Sequence, residues 1–203
     1  MQGADAVVNC VGILNAVGKN KFDTVQHEGA ERIARIAAAE GIMTMVQISA
    51  IGADAKSDSA YARTKALGEQ GVLQHQPNAV ILRPSIVFGP EDQFFNRFAS
   101  MSRMGPVLPV VGAGTKFQPV YVGDVAKAAE MGVLGQAKPG IYELGGPDVN
   151  TFKELMQQML QVIHRRKLIL NTPWFMARLM GWSFDMLQKL SFGLFTNGMI
   201  TRD

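Results

Sequence analysis

The sequence has one cysteine, Cys10, among 203 residues, and three histidines, His27, His75 and His164. A lone thiol closes no internal disulfide, which excludes a disulfide framework and a cysteine-cluster metal site and fits a reducing compartment. No histidine has a second ligand at metal spacing, so no metal is expected. Charge is sparse as well. Twenty Lys and Arg against 17 Asp and Glu leave a net charge of +3. With so weak a field and no run of five cations, nucleic acid is not an expected partner. No uncharged apolar stretch reaches the ~18 residues of an ordinary transmembrane helix, so none is expected. The opening MQGADAVVNCVGIL has no basic n-region and carries Asp5 before its apolar run, which is a strand pattern and not a signal peptide. With 47% hydrophobic and 18% charged residues, the chain is long and apolar enough to bury a core.

What is present is an alternation. Residues 6–14 are nearly continuously apolar, as in a strand covered on both faces. DTVQHEGAERIARIAAAEG places Val25, Ala30, Ile33, Ala34 and Ala37 at helical spacing, with Gly41 as the stop. TMVQIS, residues 44–49, is a second buried strand, YARTKALGEQGVLQH a helix from Tyr61 to His75, and AVILR, residues 79–83, a third strand closed by Pro84. Strand, helix, strand in repetition is the parallel crossover unit, so the expected fold is an α/β, Rossmann-like doubly wound sheet. Ligands of such sheets bind beyond the carboxyl ends of the strands, after Val11, Ile48 and Arg83.

Further on, FFNRFASMSRM reads as a helix, residues 105–122 as extended segments, GDVAKAAEMGVLG as a helix capped by Asp124, and IYELGGP as a strand and turn. Thr151 and Glu154 form a capping box for a helix over 152–164. Thr172 and Pro173 open another, continued amphipathically through Trp174, Phe175, Trp182, Phe184, Leu187 and Leu190. Twelve methionines and eleven phenylalanines are either adaptable core filler or a greasy contact surface. Behind Arg165, Arg166 and Lys167, the tail 165–195 is either an ordinary lobe or a surface lying on a membrane or a membrane-embedded partner. His27 and His75 are expected to face solvent, and Arg83 to end its strand at the surface.

One spacing carries chemistry. Tyr61 and Lys65, four apart, share a helix face near its N-terminus. A phenol with a pKa of about 10 is a poor acid or base at neutrality unless a cation lies close, and Lys65 supplies one. The pair can exchange a proton with a substrate while the ammonium holds a ribose hydroxyl.

At these residues the sequence resembles the extended, epimerase-like branch of the short-chain dehydrogenase/reductases, the NAD-dependent epimerase/dehydratase family. AVVNCVGI resembles the fourth strand of that fold, VQIS with YARTK its fifth strand and active-site helix, and ILRPSIVFGP the segment after its sixth strand. QPVYVGDVA and YELGGP are also similar to segments of that branch. The resemblance implies catalytic roles for Tyr61 and Lys65. It implies contacts to NADP or NAD from Asn9, Val11, Gly12, Ser49, Tyr61, Lys65, Pro84 and Ser85. SIVFGPEDQFFNRFASM and the closing MITRD are similar to the dehydrogenase-like accessory subunits of respiratory complex I and their bacterial relatives. Those proteins hold a nicotinamide dinucleotide without clear turnover and are linked to quinone metabolism and complex assembly.

Two departures stand out. No G-x-G-x-x-G follows a strand, so the pyrophosphate cradle is missing and the chain is expected to be a fragment lacking its first crossover units. Ile51 stands where the active branch has a hydroxyl facing the reacting carbonyl, which favours binding over turnover. The expected division is 1–135 as the dinucleotide-binding domain, with insertions near 91–119, and 136–203 as a small, mostly helical lobe. The expected protein is an NAD(P)-binding accessory or assembly protein of complex I; the alternative is an active reductase or epimerase. Complex I subunits or a membrane surface are the expected partners. The expected location is cytoplasmic, with peripheral attachment to the inner face of the energy-transducing membrane as its finer form.

Overall fold

The computed structural model describes Met1 and residues 3–172. In chain order these form β1 (Ala6–Asn9), a π-helical turn (Asp23–His27) running into α1 (Glu28–Ala39), β2 (Thr44–Ile48), α2 (Ala60–His75), β3 (Val80–Pro84) and β4 (Val87–Phe88). Then follow α3 (Phe95–Met101), β5 (Val107–Val111), β6 (Lys116–Phe117), β7 (Val120–Tyr121) and α4 (Val122–Val133). The last are β8 (Gly140–Leu144), β9 (Asn150–Thr151), α5 (Phe152–Val162) and β10 (Leu168–Thr172). The helices expected beyond Pro173 lie outside the described residues.

The described residues divide into two compact units, one of residues 1–87 and 120–146, the other of 88–119 and 147–172. In the first, four parallel strands lie in the order β1, β2, β3, β8. Because β8 is hydrogen-bonded to β3, residues 140–144 complete this sheet, whereas the boundary expected at 135 puts them in the C-terminal lobe.

Side chains alternate across β2 and prove both faces covered. Met45 packs with Ala30, Ala34 and Val72 from α1 and α2. Its neighbour Val46 packs with Val80, Leu82 and the α4 residues Ala128, Ala129 and Val133. The sheet is therefore doubly wound and Rossmann-like. α4 lies so close that a Cβ on Gly132 would meet Val46 Cγ2 at 2.8 Å.

Local expectations fail at identifiable places. β1 is four residues long and among the described residues pairs with β2 alone; Val8 is exposed on it, and Val11 and Leu14 are exposed beyond its end. β3 includes Pro84, which lacks a donor but still accepts from the Ile51 N–H at 3.0 Å. Asp124 is not the cap of α4: Tyr121 holds that position without a side-chain capping bond, and Asp124 lies inside the first turn.

The second unit packs β5 beside β10 in parallel register, with α5 over them. Its core joins Leu108, Val110, Leu155, Met156 and Met159. Phe152 stands edge-on to Phe98 and Phe117, with centroids 5.2 and 5.7 Å away. Here the aromatic and methionine load is core. The capping box forms as expected: Thr151 accepts from the Glu154 N–H, and Glu154 accepts from the Thr151 N–H at 2.7 Å. These bonds hold the exposed Glu154 carboxyl below its ordinary range.

Candidate functional site

α2 presents its chemistry to the tips of the strands. Ser59 caps it by accepting from the Ala62 N–H, so Tyr61 lies in the first turn and Lys65 one turn further on. Lys65 is buried at 7% exposure, and its Nζ donates to the Ile48 carbonyl at the end of β2, 3.4 Å away. The same ammonium stands 3.0 Å from where a Cβ on Gly12 would sit. A side chain at position 12 would press on the ammonium and require it to shift by a few tenths of an ångström. The ammonium thus lies at the carboxyl ends of β1 and β2, where the alternation places the ligand site.

Tyr61 is half-buried and meets Phe22 edge-on, centroids 6.1 Å apart. Burial pushes its phenol above the ordinary value. The lowering expected from Lys65 is absent from the balance. Burial lowers the Lys65 ammonium, and the Glu69 carboxylate opposes that lowering.

The other expected residues fall around this point. Asn9 is buried, donates to Gln47 Oε1 at 2.8 Å and accepts from the Val11 N–H at 3.1 Å, so its side chain fixes the turn after β1. Val11 and Gly12 are exposed at that turn. Pro84 is buried, and Ser85 donates its N–H to the Leu144 carbonyl at 2.8 Å. Ser49 is buried: its N–H bonds to the Leu82 carbonyl at 2.7 Å and its hydroxyl donates to Glu69 Oε1. Ile51 is 49% exposed.

Sequence reasoning missed the group beneath Ser49. Glu69, only 4% exposed, is held in a two-pronged pair by Arg83, with Nε to Oε1 at 2.9 Å and Nη2 to Oε2 at 2.6 Å. Arg83 also reaches Glu143 at 3.7 Å. It is therefore no surface strand end. These charges stand 14 residues apart, so neither helical nor strand spacing signals them; a glutamate amid the apolar face of α2 was the available hint.

Gln26 was missed too. It lies on the π-helical turn, 3% exposed, with its Nε2 3.5 Å from Thr64 Oγ1 and its Oε1 without a partner in the described structure. The histidines also differ from expectation. Both are half-buried, and Glu31 lies 4.0 Å from His27 and 3.6 Å from His75. Among the described residues no group of three His, Cys, Asp or Glu is placed to hold a metal ion. Among them, too, no helix is long and apolar enough to cross a membrane.

Residues 6–173 match the RmlD substrate binding domain. The chain belongs to that family. It is 37% identical over 199 residues to an Arabidopsis thaliana protein named NADH dehydrogenase [ubiquinone] 1 alpha subcomplex subunit 9, mitochondrial, covering 96% of this chain and 50% of the relative. The mouse protein of the same name is 30% identical over 92% of this chain and 50% of its own length. A Caulobacter vibrioides protein named ceramide reductase is 28% identical over 85% of this chain and 54% of its length. The chain spans about half the length of the curated relatives it matches. Among solved structures it resembles a dTDP-4-dehydrorhamnose reductase from Bacillus anthracis in complex with NADP, with a TM-score of 0.72 at 16% identity over 84% of this chain and 66% of that one. At that identity the likeness concerns the fold.

Proposed function

We propose that the protein is a nicotinamide-dinucleotide-binding accessory or assembly protein of respiratory complex I, linked to quinone, with little or no turnover. The names of the mitochondrial relatives support the assembly. The observation that carries the binding is the buried Lys65 ammonium at the tips of β1 and β2, facing the cleared space at Gly12. There it can hold the hydroxyls of a ribose, with Tyr61 alongside and Asn9 fixing the neighbouring turn. Pro84 and Ser85 would border the nicotinamide. When bound, the dinucleotide supplies hydride chemistry; this chain's residues supply position and charge.

Low turnover follows from what stands around the pair. Ser49 spends its hydroxyl on Glu69, Ile51 offers none, and the Tyr61 phenol stays protonated near neutrality. One missing donor of this kind costs about 10²-fold or more in rate. The proposed location is the inner face of the energy-transducing membrane, held peripherally.

The protein as its gene encodes it should bind NADPH or NADH in a fluorescence titration. Lys65→Met should weaken binding about 10- to 100-fold, the worth of one or two charge-assisted hydrogen bonds, while Tyr61→Phe leaves it within a small factor. Undiminished affinity in Lys65→Met refutes the site. The second reading, an active reductase, draws on the Tyr61–Lys65 pair and on the ceramide reductase relative. A measurable reduction rate that collapses in Tyr61→Phe would establish it instead.

A further inference from the structure

The second unit carries a groove that nothing above uses. Lys153, Gln157 and Gln161 share one face of α5, and Arg165, Arg166 and Lys167 form the facing wall, bounding about 790 Å³. The way α5 ends builds it. His164 adopts φ 53°, the left-handed conformation usually left to glycine. Its N–H bonds to the Gln161 carbonyl at 3.1 Å and that of Arg165 to the Leu160 carbonyl at 2.9 Å, which closes the helix and turns the chain sharply back. Three consecutive cations are thereby brought opposite Lys153.

Among the described residues no carboxylate neutralises any of the four cations. Arg165 donates to Ser102 Oγ at 3.3 Å and Lys167 to the Gly105 carbonyl at 2.7 Å, both uncharged acceptors that orient a cation without cancelling it. Among the described residues no carboxylate lines the groove and none of the four enters an ion pair. Such a concentration of one sign is relieved by an anion with several oxygen acceptors. The surroundings narrow its identity. Leu168, which lines the groove, and Leu170 are 67% and 50% exposed and share one face of β10. Cations beside exposed aliphatic groups suit a boundary where phosphate meets hydrocarbon; a freely soluble phosphate has no use for the aliphatic part.

We propose that this groove holds the phosphate of an anionic phospholipid, with Leu168 and Leu170 toward the acyl boundary. The proposal rests on the peripheral location given above and is independent of nicotinamide binding. The full chain is sedimented with phosphatidylcholine vesicles and with vesicles that also contain phosphatidylglycerol. It should favour the latter. Lys153→Ala and Arg166→Ala, both at exposed positions and so harmless to folding, should each weaken that binding about fivefold. Arg35→Ala, an exposed cation of α1 in the first unit, should leave it unchanged. Equal binding to both vesicle types, or an equal loss in Arg35→Ala, overturns the proposal. So does release from the vesicles by inorganic phosphate at concentrations where an equal ionic strength of chloride has no effect, since the occupant is then a soluble anion. Nicotinamide affinity measured on the same preparations separates the two readings: if it persists while vesicle binding fails, only the lipid assignment falls.

Discussion

Glu69→Gln tests whether the buried charge pair under the strand tips supports the site above it. The substitution keeps shape and removes charge. Arg83 then loses a two-pronged carboxylate and retains Glu143 at 3.7 Å, itself 58% exposed. Leaving one partner of a buried pair uncompensated costs about 3–5 kcal/mol. The Arg83 side chain keeps 19% of its exposure, and water softens the loss, so about 2–3 kcal/mol is expected here. In a chain of this size that lowers the thermal midpoint by about 5–10 °C, measurable by calorimetry or circular dichroism. The double variant Glu69→Gln with Arg83→Met removes both charges and should recover at least half of the loss, because an apolar replacement of the whole pair is nearly neutral. A single variant that melts within about 1 °C of the parent, or a double variant that melts lower than the single, would refute the reasoning.

Gly68→Ala isolates sterics from propensity. Alanine ordinarily stabilises a helix by about 1 kcal/mol over glycine, but a Cβ here would lie 2.1 Å from the Gln26 carbonyl oxygen, with backbone on both sides and no flexible atom to yield. Overpacking of about 1–3 kcal/mol or more should win, and urea denaturation should show net destabilisation; a gain would mean that α2 and the π-helical turn do not meet there. The pH dependence has a definite sign at Tyr61. Its folded pKa lies above the unfolded value of about 10, so the unfolded chain loses its proton first and stability falls as pH rises past 10. Tyr61→Phe should flatten that alkaline decline, and an unchanged slope would contradict the burial of the phenol. Lys65 works in the opposite sense, since its lowered pKa makes stability rise with pH between the folded value and 10.5.

The sheet was legible because its strands are covered on both faces and so read as unbroken apolar runs, as in TMVQI and VILRP. β1 misled for the same reason: its apolar residues continue past Asn9 into an exposed turn, where composition no longer reports burial. Local hydrogen bonding was readable at Thr151 and Glu154, where three-residue spacing specifies the bond. At Asp124 the same residue type occupies the first turn without capping it. The Tyr61–Lys65 pair was visible as helical spacing. Glu69 follows Lys65 by the same four-residue spacing and was overlooked; Arg83 and Gln26 were not legible, because they reach the helix by chain crossings of the fold that no short period encodes.

Neither compact unit is a continuous piece of chain. The strand β8, which closes the parallel sheet, is synthesised after β5 and β6 of the other unit, and α5 arrives later still. No single cut can therefore release either unit intact. A chain ended at Gly146 would own every described strand of the sheet yet carry β5 without α5, an apolar half-surface prone to aggregation, so dissection of this protein calls for excising residues 88–119 as an insert and rejoining the ends.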